Sequence, residues 1–172
     1  MKLYLVRHGQ TDENVLGLLN DDITRIVPLN TRGIAQVNAA ANKLKDKGIE
    51  IIFTSPFFRT MQTAELLSKK LGVSVISDVR LKELQMNMDG KTYAEWKELR
   101  KKGPSYKPHL GESYVEMQNR LMSFLSTLKY DVVVIVSHES PLLALRCLVF
   151  GDSYDSFLVM KQDNAEIFEL TL

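Results

Sequence analysis

Metal-binding and cross-linking residues are scarce in this chain. One cysteine, Cys147, excludes an intramolecular disulfide, and three scattered histidines with no C-x-x-C argue against a protein-built zinc site. Cys147 lies in the apolar run Leu142-Leu143-Ala144-Leu145-Arg146-Cys147-Leu148, which predicts a buried structural thiol. An excess of one charge is missing too. The 22 basic and 21 acidic side chains give a net charge of +1, so nothing marks the chain for nucleic acid or an anionic membrane. No apolar run approaches the length of a bilayer span, and the N-terminus passes directly into a strand pattern instead of a signal peptide. The expectation is a cytoplasmic protein. Repeats and low-complexity segments are absent as well.

What remains is an ordinary globular composition. The 172 residues, 45% hydrophobic and 25% charged, suit one domain with a real core. Strand-like apolar runs cover Leu3 to Val6, Ile49 to Thr54, Val73 to Ile76 and Val132 to Val136. The last is continuously β-branched, as in a strand buried on both faces. Helical segments alternate with them. Thr31 is placed to cap one that buries Ile34, Val37, Ala41 and Leu44 and stops at Gly48. Ser55-Pro56 and Ser140-Pro141 each read as an N-cap followed by proline at the first helical position. Ser113 with Glu116 matches a capping box. The tail from Ser156 to Leu172 predicts one or two strands. The stretch 85–110 carries Gly90, Gly103, Pro104 and Pro108, and reads as an excursion over the sheet containing one helix. Its charges at Lys97, Arg100, Lys101, Lys102 and Lys107 predict a solvated helix face, with attraction of anionic substrates as the alternative. The alternation of elements points to a layered α/β domain.

Three strand-to-helix junctions hold unusual polar residues: Val6-Arg7-His8-Gly9, Thr54-Ser55-Pro56 with Arg59, and Val136-Ser137-His138. Ligands of open α/β sheets bind outside the carboxyl ends of the strands. If the strands are parallel, Arg7, His8, Arg59 and His138 meet at one edge, where helix N-termini add to an anion site. The planar fork of arginine suits phosphate.

Leu5-Val6-Arg7-His8-Gly9-Gln10-Thr11 followed by Asn14 resembles the signature of the histidine phosphatase superfamily, which contains the cofactor-dependent phosphoglycerate mutases. Pro28-Leu29-Asn30-Thr31-Arg32-Gly33, then Ser55-Pro56 with Arg59, Gln62, Thr63 and Ala64, then Val136-Ser137-His138 resemble its later blocks, in order. The resemblance implies a three-layer sandwich, with a mostly parallel central sheet and helices on both faces, formed by 1–172 with 85–110 as a lid. It implies that His8 is the nucleophile that becomes phosphohistidine. Arg7, Arg59 and His138 would hold the phosphoryl oxygens with help from Asn14, and Glu83 would be the general acid. No metal is needed for that chemistry.

The chain also departs from its relatives. A Gly-aromatic-Glu-Gly stretch often follows the acid, and here it is Asn87-Met88-Asp89-Gly90, so Asp89 and Glu139 are fallback acids. Leu110 replaces a glycine before Gly111-Glu112-Ser113, which is expected to narrow or reshape the lid. Glu139 stands where a small residue is common and would repel a second anionic group unless it points away. The expected reaction is hydrolysis of a small phosphorylated metabolite, since the mutases are usually longer. The alternative is a phosphoglycerate mutase that needs 2,3-bisphosphoglycerate; the hydrolase needs no cofactor. Outside this chemistry stand a non-catalytic phosphate- or phosphoprotein-binding domain and a metal-dependent hydrolase with His8 and His138 as ligands. No nucleic-acid or membrane partner is expected, and a homodimer is compatible with every reading.

Overall fold

The computed structural model describes residues 1–172. A five-stranded sheet runs in the order β3-β2-β4-β1-β5, formed by β1 (Lys2–Arg7), β2 (Ile51–Thr54), β3 (Val75–Ser77), β4 (Val132–Ser137) and β5 (Ile167–Thr171). The first four strands are parallel, and β5 runs antiparallel along β1. The helices are α1 (Asp12–Leu16), α2 (Thr31–Leu44), α3 (Phe58–Leu71), α4 (Tyr93–Arg100), α5 (Tyr114–Leu125), α6 (Glu139–Phe150) and α7 (Tyr154–Val159).

Alternation along the central strands builds two cores. Tyr4, Val6, Val134 and Val136 join Val37, Ala41, Leu44, Ala64 and Leu67 of α2 and α3 on one face. Leu3, Leu5, Val133 and Ile135 join Met117, Leu121, Phe124, Leu142 and Leu145 of α5 and α6 on the other. That is the expected three-layer α/β sandwich. Each fully buried Leu or Ile contributes about 1.5–3 kcal/mol, which is why strands covered on both faces lack the polar alternation of half-exposed ones.

Helix starts differ from the sequence reading for a shared reason. Asn30, not Thr31, caps α2, its Oδ1 accepting from Gly33 N–H at 2.9 Å. Ile34 of that helix is exposed, and Ala40 takes its place in the core. Helix α3 begins at Phe58 after Phe57, and α6 begins at Glu139 after His138, neither with a side-chain cap. Ser55 and Ser140 therefore cap nothing; Ser55 is committed to His138 instead. Pro141 sits in the first turn of α6, where the missing N–H costs no helical bond. Ser113 caps α5 with Glu116, as expected.

The tail forms one helix and one strand, because Ser153 caps Tyr154–Val159 before the chain turns into β5. In 85–110, Arg100 is no solvated charge: it is buried, with its guanidinium 4.1 Å over the Trp96 ring and 4.8 Å over that of Phe157. This segment is fastened to residues 17–21. Gly90 N–H donates to Leu19 O at 2.9 Å, Leu19 N–H to Lys91 O at 2.8 Å, and Asp21 Oδ2 accepts from Met86 and Met88 N–H at 2.7 and 3.2 Å.

Candidate active site

Strand register assembles the site. Arg7 lies opposite Ser137 and Thr54 opposite Val136, so the residues after β1, β2 and β4 leave the sheet at one edge. His8 N–H donates to Ser137 O at 3.0 Å and Ser55 N–H to Val136 O at 3.0 Å, carrying the parallel ladder one residue past the strands. The turn after His8 then presses against α2. A Cβ on Gly33 would lie 2.1 Å from Gln10 O, and one on Gly9 would lie 2.7 Å from Gly33 O, so only glycine fits at either place.

His8 is 3% exposed. Its Nδ1 lies 2.8 Å from Gly9 O, an acceptor only, and its Nε2 lies 3.2 Å from Arg59 Nε, a donor only. These partners select the neutral tautomer with hydrogen on Nδ1 and a lone pair on Nε2. Burial holds the imidazole well below its ordinary pKa, and the charges of Arg59 and Arg7 push the same way. A neutral imidazole with an oriented lone pair can attack an electrophilic phosphorus.

His138 is fully buried behind it, the ring centroids 5.4 Å apart. Arg59 Nη2 donates to its Nδ1 at 3.0 Å, which leaves Nε2–H to donate to Ser55 Oγ at 2.9 Å. Burial lowers its pKa well below the ordinary value, with Arg59 next in effect. Arg59 links both rings. Its remaining donors reach Asn20 Oδ1 at 3.0 Å and Asn20 O at 2.9 Å. Burial lowers its pKa to about 10, so it stays charged at neutral pH.

Arg7 Nη1 donates to Gln162 O at 2.7 Å and lies 3.6 Å from Glu139 Oε2, while its buried Nε has no partner. Glu83 follows the 3-10 turn Val79–Leu81, which Ser137 Oγ ties to the sheet through Leu81 O at 2.7 Å. Its Oε1 accepts from Leu84 N–H at 2.8 Å, and Oε2 lies 4.0 Å from His138 Nδ1. Burial raises the Glu83 pKa above the ordinary carboxylate value, against the pull of the Leu84 N–H and of Arg59. Such a carboxyl can hold a proton for a leaving oxygen.

Arg7, His8, Asn14, Arg59, Glu83 and Glu139 all line one cavity of about 370 Å³, a size that suits a small molecule. Its outer wall includes Leu84, Met86, Met88, Tyr93 and Trp96. Asn14 does two jobs: its Oδ1 accepts from Thr11 N–H in the cap of α1 and from Asn164 Nδ2, which also reaches His8 O. Two expectations fail. Asp89 lies outside the cavity, its carboxylate paired with Arg25 at 2.8 Å. Leu110 is 79% exposed and lines no part of the cavity, so it does not narrow it. None of Lys97, Arg100, Lys101, Lys102 and Lys107 lines the cavity, although Lys97 and Arg100 lie over the rings of Tyr93 and Trp96, which do. His109 is exposed.

Sequence reasoning missed Asn20, Ser55 as the partner of His138, and the pair Gln162 and Asn164. Only the last left a signal, a polar run Lys161-Gln162-Asp163-Asn164 ahead of an apolar strand. No group of three or more His, Cys, Asp or Glu side chains is arranged to hold a metal ion. No helix is long and apolar enough to cross a membrane.

A sequence model of the histidine phosphatase superfamily (branch 1) matches residues 3–172. Phosphoserine phosphatase 1 of Hydrogenobacter thermophilus is 30% identical over 184 residues, covering 96% of this chain and 83% of that protein. A protein of Proteus mirabilis named as a probable phosphoglycerate mutase is 32% identical over 160 residues, covering 88% of this chain and 72% of its own. A solved mycobacterial glucosyl-3-phosphoglycerate phosphatase complexed with VO3 aligns with a TM-score of 0.86 at 26% identity, covering 99% of this chain and 90% of the other.

Proposed function

The chain belongs to branch 1 of the histidine phosphatase superfamily, and on that premise we propose that it is a metal-independent phosphomonoesterase working through phosphohistidine at His8. The observation that carries this reading is the His8 ring itself, fixed by Gly9 O with its Nε2 lone pair facing Arg59. A phosphoryl group takes the place of that contact. His8 Nε2 forms a bond to phosphorus as the ester P–O bond breaks, and Glu83 gives its proton to the departing alcohol oxygen. Arg7 and Arg59 hold the equatorial oxygens, His138 acts on them through Arg59, whose Nη2 it holds from behind, and Asn14 steadies the loop beside them. Water then attacks phosphorus, the N–P bond breaks, and Glu83 takes the proton of the water to regenerate the resting protein. The products are an alcohol and inorganic phosphate.

In this reading 1–172 form one catalytic domain, 85–110 form a lid, the compartment is the cytoplasm, and the substrate is a small phosphorylated metabolite. Phosphatase names among the relatives support hydrolysis, while the mutase name at 32% identity supports phosphoglycerate mutase action with 2,3-bisphosphoglycerate as the second reading. Keeping a bisphosphorylated intermediate from water calls for a closed, basic lid. None of the basic residues of 85–110 lines the cavity, which favours hydrolysis.

The test is to trap the phosphoenzyme. With a phosphomonoester substrate the full chain should give an acid-labile, base-stable phosphoprotein and release phosphate in the presence of EDTA. His8→Ala should lose both, with kcat down at least about 10⁴-fold. Full turnover by His8→Ala would end the proposal. A product isomer without free phosphate would shift it to the mutase.

A further inference from the structure

We propose that Glu139 filters substrates by charge, so that the cavity takes phosphomonoesters whose alcohol part is apolar and carries no second anionic group. This deepens the phosphomonoesterase reading and rests on it. Glu139 stands where relatives commonly carry a small residue, and its carboxylate does not turn away. It faces the site. Glu139 is the first residue of α6, lines the cavity, and is 12% exposed at its side chain. Its Oε2 lies 3.6 Å from Arg7 Nη1 and its Oε1 accepts from Gln162 N–H at 3.3 Å, so it is held in place from two sides. The positive end of the α6 dipole favours its charge there.

The rest of the lining makes that charge count. Arg7 and Arg59 serve the phosphoryl group. Beyond them the cavity has one more cation, Lys161, against the carboxylates of Glu13, Asp21, Glu83, Glu139 and Asp163. Two of those are neutralised or occupied locally, Glu13 by Arg25 and Asp21 by the Met86 and Met88 N–H groups. Glu139 pairs with an arginine that already belongs to the phosphate, through a single long contact, so its charge still reaches the space where a leaving group lies. In the same cavity, Met86, Met88 and Tyr93 offer apolar surface. A carboxylate or second phosphate on the alcohol would meet more like charge than the single exposed Lys161 can pair. An uncharged, apolar body would bury area against the wall instead.

Non-hydrolysable phosphonates test the filter apart from turnover. Phenylphosphonate and 4-carboxyphenylphosphonate share one body and differ by one carboxylate. Calorimetry on the full chain should give a Kd at least about tenfold weaker for the carboxylated ligand. Glu139→Gln keeps the size and the oxygen that accepts from Gln162, and should bring the two Kd values to within about threefold; Glu139→Ala should do the same. Equal affinities in the unmodified protein would overturn the proposal, and so would a tenfold gap that survives in both variants. The corresponding phosphate esters carry the comparison into kcat/KM. Phosphonates that bind with the predicted gap while no ester is hydrolysed would instead sink the phosphomonoesterase reading and leave the filter standing.

Discussion

At the inner end of the cavity, His8 and Arg59, with His138 buried behind them, stand on or beside strand ends whose register fixes them, whereas the outer wall is built from chain that leaves the sheet altogether. The inner end is held by backbone ladders and by one guanidinium bonded to both imidazoles and to Asn20. The wall is held by side-chain clasps between loops, such as Arg25 with Glu13 and Asp89, and by the bonds of Asp21 to 86–88. A shared reaction needs the first kind of precision. Choice of substrate needs only a wall of suitable shape and charge, and loops can vary that without disturbing the sheet.

Changes at the two ends should therefore separate in kind as well as size. Glu83→Gln should lower kcat by about 10²–10⁴-fold for an alkyl phosphate and far less for p-nitrophenyl phosphate, whose leaving oxygen needs no proton. An equal loss on both substrates would mean that Glu83 is a scaffold and not an acid. Arg59→Lys should lower kcat/KM by about 10²–10³-fold, because a point charge cannot span two imidazoles and Asn20. A loss no greater than about threefold would show the inner end to be as tolerant as the wall.

Stability should also report on the inner end. The pKa values of His8 and His138 are both held low, so below about pH 6.5 the unfolded chain binds protons that the folded protein refuses. Unfolding free energy should then fall by about 2 kcal/mol between about pH 6.5 and 5.5. Glu83, whose pKa is raised, keeps a proton in the folded state that the unfolded chain gives up, and offsets part of that loss. Denaturant titrations at the two pH values measure the net slope, and a flat profile would mean solvated imidazoles. The smallest effect belongs to the periphery. Leu110 sits at φ 56°, the left-handed region, with its side chain in solvent. Leu110→Gly should raise stability by about 0.5–1 kcal/mol, read as a higher Tm, with kinetics unchanged.

The same division decides what could be read from the sequence. Val132-Val133-Val134-Ile135-Val136 and Leu3-Tyr4-Leu5-Val6 announce buried parallel strands, and a buried parallel strand delivers whatever follows it to one edge. Arg7, His8 and His138 were legible for that reason, and Arg59 because it follows β2 at the same edge. Helix caps were harder. Ser55 looks like the start of a helix by type, yet its side chain is spent on His138, and no local rule records a bond across 83 positions. Arg100 reads as a surface charge until Trp96 and Phe157 close over it. Asn20 has no pattern at all, because its role exists only once Arg59 arrives beside it.

The order of strands in the sheet carries one more consequence, for the making of the protein. The first strand of the chain, β1, sits between β4 and β5, which are the last two. While the chain emerges from a ribosome, β1 has no partner until most of the other residues have followed it. His8 waits longer still, since Asn164, which holds its carbonyl, comes near the end. Such late, long-range closure slows folding and leaves an apolar strand edge open in the meantime. The sequence brackets that edge with Lys2 on one side and Arg7 on the other, charges that keep nascent chains from pairing through it.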